Sequence, residues 1–147
     1  MSLSPLAAAK SLCEYSDWKL TNLSVNKILY LTHMIYMGQS GGQRLIEGEF
    51  QAWTHGPVLP EVYEAFKPFG ASNVKNLSFV HDHLAGEPLE IEWIKWGHKE
   101  LKKYCPWELV SMTHADEGAW AEVYRPGMKG LVISDDAIMR EYNARYA

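Results

Sequence analysis

The stretch from Ser24 to Gly42 constrains the fold more than any other part of the chain. Val25, Ile28, Leu29, Thr32, Ile35 and Tyr36 recur at the spacing of one helical face, and Leu31 and Met34 add a second apolar face. A helix apolar over that much of its circumference belongs in the middle of a bundle, with other elements covering it on several sides. Ser24 is positioned to cap its start, and Gly38 with the pair Gly41-Gly42 to end it.

The flanking sequence supplies the cover. Ser4-Pro5 reads as an N-cap and first helical position, because proline lacks the N–H that a first turn leaves unpaired. Leu6, Ala9 and Cys13 follow at helical spacing, and this first helix fades near Ser16 and Asp17. Glu47-Gly48 suggests a turn, and Glu49 to Ala52 alternates with the period of a short strand. Pro60 opens a third helix with Val62, Ala65, Phe66 and Phe69 inward, stopped by Pro68 and Gly70. Ala71 to Pro88 reads as loop, with a short extended piece at Leu77 to Val80.

A fourth helix begins near Ile91 and carries Ile94, His98, Leu101 and Tyr104. Pro106 opens a fifth with Leu109, Val110 and Met112 inward. Trp120, Val123 and Tyr124 mark a sixth, broken by Arg125-Pro126-Gly127. Leu131-Val132-Ile133 reads as a second strand. Ser134 then caps a last helix, with Asp135 and Asp136 in the first turn, where the helix dipole favours anions, and with Ile138, Met139 and Tyr142 to dock it. The expected architecture is mainly α: one domain over residues 1–147, a compact bundle of about six or seven helices with a small two-stranded β element.

Charge and composition bound the function. The 147 residues carry a net charge of −4, whereas a protein that grips nucleic-acid phosphates needs a surplus of Lys and Arg. Lys99, Lys102 and Lys103 read as a solvated helix face. No apolar run approaches the roughly 20 residues that span a bilayer, and Lys10 and Glu14 interrupt what would be a signal sequence. The two cysteines, Cys13 and Cys105, fit no metal or redox spacing, so a cytoplasmic setting with free thiols is expected.

The search for chemistry finds no nucleophile elbow, zincin motif, P-loop or dinucleotide fingerprint. His81-Asp82-His83 lacks a third metal ligand and reads as a surface turn; no cofactor is expected. His98 and Cys105 sit on neighbouring turns, where a structural cysteine beside an unrelated histidine is the plain explanation. Thr113-His114 with Asp116 and Glu117 contains a hydroxyl, a base and acids. Adjacent helical residues point about 100° apart, however, so the run does not converge by itself.

The run Trp53-Thr54-His55-Gly56-Pro57-Val58 is the most distinctive in the chain. Gly56 admits backbone angles closed to other residues and Pro57 fixes its own φ, which together make a stiff corner between the strand and the third helix. Trp53 can pin that corner to the core, with His55 either part of it or exposed and functional. Trp93, Trp96 and Trp107 exceed what the fourth and fifth helices need for packing and are candidate interface anchors, core burial being the alternative.

Three segments, in order, resemble the SocA-like antitoxin family, also described as the Panacea domain and as GepA-like phage-associated proteins. They are Asn26-Lys27-Ile28-Leu29-Tyr30-Leu31; Ala52 to Val58 with Pro60, Tyr63 and Phe66 after it; and Leu109 through Thr113-His114 to Trp120. Asn26 stands where a longer amide is usual in the family, and Ala119 where proline is common. The resemblance covers roughly residues 18–146 and implies a bacterial, mainly helical, non-enzymatic protein. It implies an antitoxin of a toxin–antitoxin system, neutralising a neighbouring gene's toxin by direct protein binding and in some members delivering it to a ClpXP-type protease. On that view Lys27, Tyr30, Trp53, His55, Gly56, Pro57, Val58, Pro60, Tyr63, Thr113, His114 and Trp120 are structural or partner-binding residues. The competing expectation is a phage-associated protein with weak hydrolase or nuclease activity using His55 or His114.

Overall fold

A computed structural model describes residues 2–75 and 88–146. The extended piece expected at Leu77 to Val80 and the His81-Asp82-His83 cluster lie outside the described residues. Among the described residues, seven α-helices and one antiparallel hairpin follow one another in the order α1, α2, β1, β2, α3 to α7.

Helix α1 (Pro5–Tyr15) starts as its sequence predicts: Ser4 Oγ accepts from Ala7 N at 3.2 Å, with Pro5 in the first turn. It buries Ala8, Ala9, Leu12 and Cys13. Asp17 and Trp18 take positive φ, and Trp18 N donates to Cys13 O at 2.8 Å, which turns the chain sharply into the next helix.

Helix α2 (Asn22–Gln39) is the axis of the molecule and packs against α1, α3, α4, α5, α7 and β2. Its buried residues run all the way round and include the polar Asn26, Lys27, Thr32 and His33 among Val25, Ile28, Leu29, Tyr30, Met34 and Met37. Burying each large apolar side chain contributes about 1.5–3 kcal/mol, and α2 supplies more of the core's buried apolar side chains than any other described element.

Two sequence expectations about its ends are corrected. Thr21, not Ser24, is the cap: its Oγ1 accepts from Ser24 N at 3.1 Å, because Thr21 is still extended and bridges to Asn73, so the helix begins earlier. Gly38 does not end the helix. It lies inside it, and a Cβ there would stand 2.1 Å from Tyr142 Cγ, so the glycine makes room for the last helix. The helix stops after Gln39, where Gly41 and Gly42 have positive φ and Gly42 N returns to Met37 O.

Strands β1 (Gln51–Trp53) and β2 (Gly56–Val58) pair as an antiparallel hairpin in the register Gln51↔Val58, Ala52↔Pro57, Trp53↔Gly56. The two-stranded element is therefore formed by the segment expected as a corner, and not by Leu131-Val132-Ile133. Ala52 N points out of the hairpin to Leu131 O at 2.9 Å, so the facing Pro57 occupies a position where no N–H is called for. Residues 131–133 instead flank the outer edge of β1, through a Gln51↔Val132 bridge and a bond from Ile133 N to Phe50 O at 2.8 Å.

Helix α3 (Pro60–Phe66) runs into a 3₁₀ turn at Lys67–Phe69. Helix α4 (Pro88–Leu101) packs on α1 and α2, and Gly97 lets it approach so closely that a Cβ would meet Thr32 Oγ1 at 2.0 Å. Helices α5 (Pro106–Thr113) and α6 (Ala119–Val123) lead to α7 (Asp135–Tyr146), whose cap is Ser134, accepting from Ala137 N at 3.1 Å. Glu141 of α7 is fully buried. It accepts from Tyr30 Oη at 2.5 Å, Ala119 N at 3.0 Å and Arg145 Nε at 2.8 Å, tying α2, α6 and α7 together. Among the described residues no helix is long and apolar enough to cross a membrane.

Candidate functional site

The signature residues, far apart in sequence, meet at the β1–β2 hairpin. A two-stranded hairpin is marginal in water and leaves two unpaired edges. Residues 131–133 cover one. Two adjacent side chains of α2 complete the other. Lys27 Nζ donates to Pro57 O at 2.8 Å, and Asn26 Oδ1 accepts from Leu59 N at 2.9 Å. Asn26 is held in place by its own amide, which donates to Asn22 O at 3.0 Å and Asn22 Oδ1 at 2.9 Å, and Asn22 in turn donates to Tyr63 O at 3.2 Å. The short Asn26 side chain thus reaches the edge of β2.

Lys27 has no exposed surface, and burial pulls its amine down to about 7. Its stem and the Thr113 hydroxyl press on the backbone of Gly56, whose φ is +116; a Cβ there would lie 2.7 Å from Thr113 Oγ1 and 3.0 Å from Lys27 Cε. Only glycine satisfies both the angle and the space. Thr113 Oγ1 itself donates to Val110 O at 2.9 Å, inside its own helix.

Aromatic residues hold the hairpin from the side. Trp120 Nε1 donates to Trp53 O at 2.6 Å, and its ring stacks on His114 (3.7 Å, 5°) and on Tyr124 (4.6 Å, 15°). Trp53 meets Tyr63 edge-on at 4.8 Å. The His114 imidazole is held below its usual value, by burial first, then by the charges of Lys27 and His55, against a hydrogen bond with the His55 backbone. Its Nε2 is buried with no partner among the described residues.

The hairpin tip, by contrast, is open. Thr54 and His55 are exposed, and the His55 ring stands edge-on to Trp107 at 5.3 Å. Trp107 is 59% exposed and Met128 54%. Beside them lies a cleft of about 820 Å³, lined by Trp53, His55, Tyr63, Trp107, Tyr124 and Met128 among others, with Lys67 and Lys129 contributing charge and Lys27 in its floor.

The structure brings together Lys27, Trp53, His55, Gly56, Pro57, Val58, Tyr63, Thr113, His114, Trp120 and Trp107. Pro60 begins α3 immediately after the hairpin. Tyr30 belongs to the separate Glu141 network; its phenol is held well above its usual value by burial and then by the Glu141 carboxylate. Trp93 and Trp96 do not line the cleft: they meet edge-on at 5.3 Å, with Trp93 also edge-on to Tyr36 at 5.3 Å. Asn22, Lys67 and Lys129 were not singled out in the sequence, and Tyr124 only as a packing residue of the sixth helix. The pair Asn22 and Asn26, one turn apart within an apolar helix, is a signal that points inward; no local pattern marks the two lysines.

Cys13 is buried and its thiol pushed up to about 12, by burial and then by Glu14, which makes it a poor nucleophile. Cys105 is exposed before α5, where its N–H donates to Glu108 Oε1 at 2.8 Å. Among the described residues no group of three or more His, Cys, Asp or Glu side chains is placed to hold a metal ion.

A family profile described as "Antitoxin SocA-like, Panacea domain" matches residues 25–121, a window that contains every signature residue from Lys27 to Trp120. Over 135 residues the chain is 30% identical to Antitoxin SocA of Caulobacter vibrioides (strain NA1000 / CB15N), covering 83% of this chain and 71% of that protein. No solved structure matches the chain significantly.

Proposed function

The chain belongs to the SocA-like antitoxin, Panacea domain family, and from that premise we propose that it is a cytoplasmic antitoxin that neutralises a toxin encoded by a neighbouring gene through direct binding at the hairpin cleft. One observation carries this reading. The signature residues of α2, α5 and α6 are spent on holding a single hairpin rigid, while its tip and the adjacent Trp107 and Met128 are left in solvent. Rigid support beneath an exposed aromatic is how a binding surface is preorganised, since less side-chain and loop entropy is then lost on association. A standard one-to-one interface would bury about 1,600 Å² and has Trp107 and the hairpin tip as natural centre.

The test is bacterial growth while the neighbouring gene is expressed, with and without this chain. Arrest by the neighbour and rescue by this chain is the expected result; a Trp107→Ala, His55→Ala double variant that folds normally should lose rescue. A harmless neighbour, or arrest that persists beside soluble antitoxin, removes the reading. Delivery of the toxin to a ClpXP-type protease predicts a shortened toxin half-life in the presence of this chain, whereas simple occlusion leaves the half-life unchanged. The hydrolase or nuclease reading through His55 or His114 finds less support: the hydroxyl that adjoins His114 in the chain, Thr113 Oγ1, donates within its own helix.

A further inference from the structure

The charge of the cleft is opposite to that of the chain. Acidic residues outnumber basic ones by 18 to 14 in the whole sequence. The cleft nonetheless has Lys67 and Lys129 in its lining against the single carboxylate of Glu64, while the Lys27 amine beneath is committed to Pro57 O. Arg44 is ion-paired with Asp135, Arg140 with Glu122, Arg145 with Glu141 and Lys10 with Glu14, whereas the other lysines without an ion-pair partner among the described residues lie outside this cleft. Among the described residues neither Lys67 nor Lys129 has an ion-pair partner, and both are exposed. Lys67 stands in the 3₁₀ turn after α3 and Lys129 in the turn before residues 131–133, so two separate segments bring like charges to one opening.

Like charges gathered without counter-charges cost free energy, and an acidic chain has carboxylates enough to neutralise them. The same cleft is lined by Trp53, Tyr63, Trp107 and Met128, apolar surface for side chains and not only for phosphates. Resting on the antitoxin reading, we infer that the cleft receives a segment of the partner protein in which Asp or Glu alternates with apolar residues, its carboxylates meeting Lys67 and Lys129 and its apolar side chains lying against Trp107 and Met128. Nucleic acid fits less well, because the two exposed lysines of this cleft, on a protein of net charge −4, neutralise too few phosphates for appreciable affinity.

The experiment uses the full chain and the purified product of the neighbouring gene. Binding is measured at low and high salt for the wild type, for Lys67→Glu with Lys129→Glu, for Lys67→Arg with Lys129→Arg, and for Lys99→Glu with Lys102→Glu as a reversal outside the cleft. The cleft reversal should weaken binding about 30-fold at low salt, since attraction becomes repulsion, while the arginine pair and the outside reversal stay within about threefold. A water-soluble carbodiimide, which joins a carboxyl directly to an amine, should link Lys67 or Lys129 to an Asp or Glu of the partner. Circular dichroism confirms that each variant is folded.

A complex that forms, rescues growth, ignores the cleft reversal and cross-links elsewhere overturns this inference and leaves the antitoxin reading standing. Binding of a 12-nucleotide single strand that depends on Lys67 and Lys129, with the protein complex indifferent to them, also overturns it. No complex and no rescue overturns both.

Discussion

Lys27 and His33 stand on the same helix, both without exposed surface, and each reaches off it to hold a stretch of backbone. Lys27 Nζ donates to Pro57 O at 2.8 Å; His33 Nδ1 accepts from Ile46 N at 3.2 Å. Burial pushes both towards the neutral form, Lys27 to about 7 and His33 to about 3, the latter helped by the charge of Arg44. The difference lies in what a proton does to each. An amine donates whether charged or not, so the hairpin keeps its tether on either side of pH 7. An imidazole that accepts through Nδ1 stops doing so once protonated, so the tether at Ile46 exists only while His33 is neutral. The molecule thus holds its candidate binding hairpin with the bond that tolerates protonation, and a core segment with the one that does not.

The largest expected effect probes the His33 side. An unfolded histidine takes up a proton below about 6.5 and the folded one only below about 3, so unfolding binds a proton between these values. Stability present above pH 6.5 is lost as pH falls towards 3, by on the order of 4 kcal/mol from this residue. Urea unfolding at half-unit pH steps measures it. His33→Asn, which offers an acceptor that does not titrate, should flatten the slope; an unchanged slope would break the comparison.

Next comes Gly56→Val, which attacks the Lys27 tether from the hairpin side. The unfavourable φ and the clash with Thr113 Oγ1 and Lys27 Cε should cost about 3 kcal/mol, read from the urea midpoint.

Lys27→Met sharpens the contrast further. It keeps the stem, removes an amine that is costly to bury, and leaves Pro57 O unpaired, so the change at pH 7 should stay within about 1.5 kcal/mol. In the native protein unfolding binds a proton between pH 7 and 10.5, so stability rises with pH across that window, and the variant should lose this rise. Amide exchange over residues 51–59 should quicken in the variant even where global stability is retained.

The smallest effect belongs to Trp120→Phe. It preserves a ring between His114 and Tyr124 and deletes only the bond to Trp53 O, for about 1 kcal/mol in thermal unfolding.

Much of the candidate site was legible in the run Trp53 to Val58 and in the ordered segments around Lys27 and Trp120, because a Gly-Pro pair beside tryptophan is unusual enough to stand out. Its support was not. A lysine or glutamate in a sequence reads as solvated, and nothing local says that Lys27 is completed by a carbonyl 30 positions on, or Glu141 by Tyr30, 111 positions back. Pro57 reads as a break in any strand. Only the hairpin register, which turns Ala52 N outward to Leu131 O, creates the pairing site where a proline is harmless. The cleft lysines come from segments with no shared pattern.

What the sequence determined by itself was the set of helices and their burial. Apolar periodicity, a Ser before a Pro, and prolines at helix starts are local facts whose consequences follow within a few residues, so α1, α2, α3, α5 and α7 could be read directly. The tertiary structure alone decided which segments pair in the hairpin, where helices touch through Gly38 and Gly97, and which charged groups are buried. Those outcomes depend on hydrogen-bond partners and free space contributed by distant parts of the chain, and such partners exist only once the bundle has closed around α2.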